Sequence, residues 1–210
     1  IIVFVKNIKL GKVKTRLAKT IGNQAAFEVY SELVKVTEEA IKNIETDKRI
    51  YFSDVITETK WKNDNKAVQI GDDLGERMKN AFKKGFDDGY ERIILIGSDL
   101  PDINSEHIEK GLNALESNEV VFGPAIDGGY YLIGFSELKA YVFDDKPWSQ
   151  SNLLEVTLKQ LQRNKISYAL LSPLNDIDTF ELYFDSVSSS NNISGSSSVS
   201  QCNVKGSSKK

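Results

Sequence analysis

With 210 residues, 40% hydrophobic and 27% charged, the chain has the size and composition of one globular domain able to bury its own core. Its formal charge of -3 offers little global attraction for nucleic acid or an anionic membrane, and no apolar run approaches the roughly 18 residues of a membrane span. One Cys and one His exclude an internal disulfide framework and a Cys/His zinc site, so carboxylates, Lys and Arg, hydroxyls and backbone must carry any chemistry.

Ile1 to Val5 reads as a buried strand, too short for the core of a secretion signal. A helix follows, with Phe27, Tyr30, Leu33, Val34, Ile41 and Ile44 spaced near threes and fours. Ile50 to Ser53 and Ala67 to Ile70 are expected as short strands, and Leu74, Met78, Ala81, Phe82 and Phe86 mark the face of a second helix. Arg92 to Gly97 is the clearest central strand, nearly all apolar, as where both faces of a sheet are covered. Asn104 or Ser105 caps a helix carrying Ile108, Leu112 and Leu115, on which the lone His107 is expected to be exposed.

Val120 to Pro124 and Tyr130 to Phe135 are strand-like, joined through a turn-rich link as a hairpin or bulged bend. Leu153, Leu154, Leu158 and Leu161 give another helix, and the last strand is expected near Tyr168 to Leu171. This alternation predicts an α/β layered fold with a mostly parallel sheet, whose ligands collect at the carboxyl ends of the strands. Residues 1–187 are taken as the domain, and 188–210, rich in Ser and containing Cys202, as a disordered or appended tail. Low cysteine usage fits a reducing, cytoplasmic setting.

Five clusters of residues fall after successive strands. Between Ile1 and Phe27 stand six cations, Lys6, Lys9, Lys12, Lys14, Arg16 and Lys19, and no Asp or Glu. Gly11 lets backbone N–H groups approach an anion while the cations neutralise it, so Gly11 to Leu17 suits a di- or triphosphate; the alternative is a solvated basic loop. It is not a Walker A loop, lacking the second Gly-Lys-Ser/Thr. Asp99 leaves the end of the central strand, where a hard cation such as Mg²⁺ would sit beside phosphates. Asp176 and Asp178 alternate on an extended segment and could face one cation, although an Asp there is also an ordinary helix cap. Gly128, Gly129 and Tyr130 allow a ligand close to the backbone with a ring to pack on, or simply form a turn. Gln69, Asp73 and Arg77 surround a strand-to-helix junction and are expected to contact the nucleotide.

Phe4-Val5-Lys6-Asn7, the Gly11 to Leu17 loop, Leu74-Gly75-Glu76-Arg77-Met78, Gly97-Ser98-Asp99, Asp127 to Gly134, Trp148-Ser149 and Asp176 to Thr179 occur in one order. In that order they resemble an uncharacterised bacterial family of provisionally described glycosyltransferases. That family belongs to the nucleotide-diphospho-sugar transferase superfamily, with relatives among the molybdenum-cofactor and 2-phospholactate guanylyltransferases. The resemblance implies a glycosyltransferase-A-like, Rossmann-like three-layer α/β sandwich with a mixed, mostly parallel sheet. It implies a nucleotide with phosphates near Lys6, Gly11, Lys12, Lys14, Thr15 and Arg16, and Mg²⁺ or Mn²⁺ held by Asp99 and Asp178, with Asp176 adjacent. Trp148 is placed with Gly128, Gly129 and Tyr130 at the acceptor end.

Two reactions fit these expectations. In glycosyl transfer from a nucleotide-diphospho-sugar to a small acceptor, the leading expectation, an inverting enzyme needs a carboxylate base, for which Asp127 is the candidate and Asp145 the second. In nucleotidyl transfer an ionised phosphate attacks the α-phosphate, pyrophosphate leaves and no base is needed. A non-catalytic nucleotide-binding module is the alternative of another class. Base, sugar, acceptor and oligomeric state are not legible in these residues.

Overall fold

The computed structural model describes residues 1–175. Seven strands form one sheet: β1 (Ile2–Val5), β2 (Arg49–Phe52), β3 (Asn65–Val68), β4 (Ile93–Ile96), β5 (Val120–Pro124), β6 (Tyr130–Phe135) and β7 (Tyr168–Leu170). Their order across the sheet is β3-β2-β1-β4-β6-β5-β7. All neighbours pair in parallel except β6, which runs antiparallel to both β4 and β5. The β5–β6 hairpin slips register between Gly123 and Pro124, combining the two forms expected for that link.

Helices α1 (Thr15–Lys42) and α3 (Ser105–Ala114) cover one face of the sheet, α2 (Leu74–Asp87) and α4 (Leu153–Arg163) the other. The central strands divide their side chains between two cores. Val3 and Val5 pack with Tyr30, Val34, Ile41 and Ile108, whereas Ile2 and Phe4 pack with Met78, Phe82, Phe143 and Leu161. Burial on both faces is why β1 and β4 read as unbroken apolar runs rather than alternating ones. The layers and the mixed sheet are those of the expected α/β sandwich.

Three local expectations need correction. β3 ends two residues earlier than Ile70, which is 73% exposed; this edge strand holds one exposed and three half-buried residues, so hydrophobicity sets its bounds poorly. A 3₁₀ turn, Ala140–Phe143, buries Val142 and Phe143 beneath α2 and was too short to show a periodicity. His107 is half-buried rather than exposed, because the first turn of α3 folds over β6: its ring meets Tyr131 edge-on at 6.4 Å. Among the described residues no helix is long and apolar enough to cross a membrane. The Ser-rich segment, Asp176 and Asp178 lie outside the described residues.

Candidate nucleotide and acceptor site

β1, β2, β4 and β5 all end on one edge of the sheet, and the chemistry-bearing loops follow those ends. After Val5 the chain turns sharply, with Gly11 in the left-handed region at φ 73 and the Lys12 N–H bonded to the Lys9 carbonyl at 3.0 Å. Asn7 holds this segment. It is buried, donates from Nδ2 to the Val55 carbonyl at 2.7 Å, and accepts at Oδ1 from the Asp54 and Val55 N–H groups at 2.8 and 3.2 Å. The loops after β1 and β2 are thereby tied into one wall, reinforced by Lys9 Nζ on Asp54 at 2.9 Å.

The loop delivers Lys14 to Asp99. Lys14 Nζ stands 3.1 Å from Asp99 Oδ2, with the lysine side chain only 2% exposed and the aspartate 30%. Lys14 itself adopts φ 47, ψ 45, a left-handed conformation unusual for a residue with a side chain, at the cap position of α1. A buried ammonium requires a partner, and Asp99 supplies it. Beneath the pair, the Lys6 N–H donates to the Tyr30 hydroxyl at 2.9 Å, and that hydroxyl shares a hydrogen bond of 2.9 Å with Ser98 Oγ. Burial, aided by the Asp99 charge, pushes the Tyr30 hydroxyl pKa up, so it remains a proton donor in this lattice of strand ends.

A cavity of about 310 Å³ opens beside Asp99. Lys6, Gln69, Ser98, Asp99 and Asp127 border it, and Phe4, Met78, Leu95, Ile133 and Trp148 give it an apolar wall. Gln69 is fixed through Nε2 to the Tyr51 carbonyl at 3.0 Å, and its own N–H extends the ladder to Phe52 at 2.8 Å.

Asp127 also borders the cavity, and its Oδ1 accepts the Gly129 N–H at 2.9 Å in an Asx turn. Gly128 has φ 92, and any Cβ there would run into the Ser151 carbonyl, so this turn depends on glycine. Gly129 and Tyr130 also line the cavity, and burial pushes the Tyr130 hydroxyl pKa up. The Trp148 ring lies against Gly75 in α2, where a Cβ would overlap it.

The remaining expected residues take other positions. Asp73 caps α2, accepting the Glu76 N–H at 2.8 Å, and Arg77 Nε bonds the Gly71 carbonyl at 3.0 Å. Both shape the turn from β3 into α2 and neither lines the cavity. Lys12, Thr15 and Arg16 are exposed on the loop and first turn above Lys14, and Asp145 is exposed outside the cavity. Asn7, Tyr30, Ser98 and Gly75 were not singled out for the site. Asn7, Gly75 and Ser98 fall inside motifs already quoted, but Tyr30 sits on an apolar helix stripe and carries no signal beyond core.

Asp99 fits a divalent cation in one respect seen directly: its carboxylate already holds a cation, the Lys14 ammonium. Among the described residues no three His, Cys, Asp or Glu side chains converge to hold a metal ion.

The sheet order, the antiparallel β6 and a site along the carboxyl edge define a protein with the fold of nucleotide-diphospho-sugar transferases. Residues 40–150 match the family described as an uncharacterized protein conserved in bacteria (DUF2064), and the chain belongs to that family. It is similar to a solved structure from Desulfovibrio desulfuricans G20, provisionally named a nucleotide-diphospho-sugar transferase. The two are 37% identical with a TM-score of 0.78, covering 85% of this chain and 81% of that one. A 2-phospho-L-lactate guanylyltransferase of Methanocaldococcus vulcanius is 23% identical over 133 residues; the match takes in 63% of this chain and spans 59% of that relative's length. The Mycobacterium tuberculosis H37Rv protein Rv0371C, solved in complex with manganese, shares the fold at 14% identity and a TM-score of 0.52, over 90% of this chain and 97% of that one.

Proposed function

We propose that the protein is a metal-dependent transferase acting on an activated nucleotide, and that it transfers a glycosyl group from a nucleotide-diphospho-sugar to a small acceptor. The observation that carries this reading is the cavity bordered by Asp99, the partner of the buried Lys14, by a second carboxylate, Asp127, and by an aromatic ring, Trp148. A diphosphate fits beside Asp99, since Lys14 and the exposed cations of the opening loop offset its charge. A sugar and acceptor fit beside Asp127 and Trp148, where an indole face stacks on a ring and a carboxylate takes a proton.

In this reaction the acceptor hydroxyl attacks the anomeric carbon on the face opposite the leaving group. Asp127 takes the hydroxyl proton, the new C–O bond forms, and the old bond to the diphosphate oxygen breaks with inversion. Lys14 balances the charge left on the departing nucleoside diphosphate. Asp99 would hold Mg²⁺ or Mn²⁺, with Asp178 and Asp176 as further ligands, and the cation supplies Lewis-acid stabilisation of the diphosphate. The solved manganese complex of a protein with the same fold supports a divalent cation.

A second reading, nucleotidyl transfer, is favoured by the density of cations before Phe27 and by the similarity to a guanylyltransferase. There a phosphate of the second substrate attacks the α-phosphate and pyrophosphate leaves, with no proton for Asp127 to take. Product analysis separates the two. Glycosyl transfer releases a nucleoside diphosphate, and Asp127→Asn should then keep nucleotide-sugar binding while losing roughly 10²–10⁴ in rate. Pyrophosphate released from a nucleoside triphosphate by an active Asp127→Asn protein would replace the first reading with the second.

A further inference from the structure

We infer that the acceptor is an alcohol carried on an apolar frame, aromatic or aliphatic, and not a second sugar. This rests on the transferase reading above and names the class of its second substrate.

The cavity cuts into the core that lies between the sheet and helices α2 and α4. Phe4, Met78, Leu95 and Ile133 belong to that core, each no more than 8% exposed, and Trp148 packs against it; all five line the cavity. Exposed apolar residues stand at its border. Leu74, the first residue of α2, lines the cavity while 48% exposed, and Ile126, 65% exposed, directly precedes Asp127. Several polar groups of the lining are already bonded within the protein. Ser98 Oγ shares a hydrogen bond with the Tyr30 hydroxyl, Gln69 Nε2 donates to the Tyr51 carbonyl, and Asp127 Oδ1 accepts the Gly129 N–H. The Tyr130 hydroxyl is withdrawn from water. A second sugar would bring several hydroxyls to this wall, and each one moved from water without a new partner costs free energy. An apolar frame gains on the same move. One hydroxyl is all the acceptor needs: its oxygen forms the new bond to the anomeric carbon, its proton passes to Asp127, and the nucleoside diphosphate leaves with the electron pair of the old bond. At about 310 Å³ the cavity is at the small end of ligand sites, which limits the frame to one ring or a short chain.

The test is titration of the full chain with benzyl alcohol, phenethyl alcohol and phenylpropanol, and with glucose and glycerol, followed by tryptophan fluorescence. Trp148 borders the cavity and Trp61 lies in the other core, so Trp148→Phe should remove the response. The aryl alcohols should saturate, each added methylene tightening binding about fourfold, whereas glucose and glycerol should give no saturable change. Met78→Gln should weaken phenylpropanol binding at least about tenfold. Leu74→Gln, at an exposed position that tolerates the change should Met78→Gln fail to fold, should weaken it at least about threefold. Saturable glucose binding in place of the alcohols, or unchanged alcohol affinity in a folded variant of either kind, overturns the inference. Release of nucleoside diphosphate from UDP-, GDP- and dTDP-sugars, measured on the same samples, reports on the transferase reading separately. Release stimulated by glucose and not by phenylpropanol overturns the inference and keeps that reading, whereas release with neither overturns both.

Discussion

Gly75 offers a test in which two physical effects have opposite signs. It is the second residue of α2, and glycine within a helix ordinarily costs up to about 1 kcal/mol relative to alanine, so Gly75→Ala should stabilise if only propensity mattered. The structure says otherwise. A Cβ at this position would overlap the Trp148 ring, coming within 2.8 Å of its Cε2, and would lie 2.9 Å from the Phe143 carbonyl oxygen. Carbon atoms in contact prefer roughly 3.5–4.0 Å, so the ring must move by about 1 Å, and overpacking of this kind costs about 1–3 kcal/mol. The ring can move with its loop, but the Phe143 carbonyl belongs to a turn whose side chains are packed under α2 and has less freedom. Subtracting the helix gain leaves an expected net loss of up to roughly 2 kcal/mol, equivalent to a fall in melting temperature of up to about 8 °C. Urea unfolding followed by circular dichroism gives the stability, and tryptophan fluorescence reports the displaced ring. Trp148→Ala in the same chain should recover part of the loss but not the share owed to Phe143. A Gly75→Ala protein as stable as wild type, with unchanged fluorescence, would refute this packing of the cavity wall.

Asn7→Ala should destabilise the protein by roughly 2–3 kcal/mol, since it strands several backbone groups of the loop after β2, with partial replacement by water; denaturant unfolding measures it, and a change under 0.5 kcal/mol would contradict the clamp. Alkaline pH provides another check. Burial pushes the Tyr131 hydroxyl from its ordinary 10.0 up to about 12, and Tyr30 and Tyr130 shift the same way. The unfolded chain then loses these protons first, so their contribution is complete below about pH 10 and declines as pH rises toward 12. Urea midpoints at pH 9 and pH 11 should show that decline, with Tyr131→Phe reducing its slope; an unchanged slope would contradict the burial of this hydroxyl.

The parts of the fold that were legible are those where burial writes itself into consecutive residues. Val120–Pro124 and Tyr130–Phe135 have the bounds that their apolar runs implied, and α2 has the face marked by Met78, Ala81 and Phe82. Edge strand β3 is half-buried, so its bounds slipped, and four residues of 3₁₀ helix hold no full period. In the site, charge and position singled out Lys14 and Asp99 separately. Their contact was not visible because it arises only when β1 and β4 lie side by side in the sheet. Asp73 was expected at the nucleotide, and in the structure it caps α2. Tyr30 went unnoticed because a hydroxyl on an apolar stripe looks like any other core aromatic until its partners, Lys6 and Ser98, are known.

The central claim is that nucleotide phosphates bind where Lys14 meets Asp99, and calorimetric titration of a Mg²⁺–nucleotide complex into wild type and Lys14→Ala tests it most directly. Removing one charge-assisted hydrogen bond costs about 1.5–3 kcal/mol, so affinity should fall roughly 10- to 150-fold in a variant that keeps its fold. A folded Lys14→Ala protein with wild-type affinity would place the phosphates elsewhere and contradict the account.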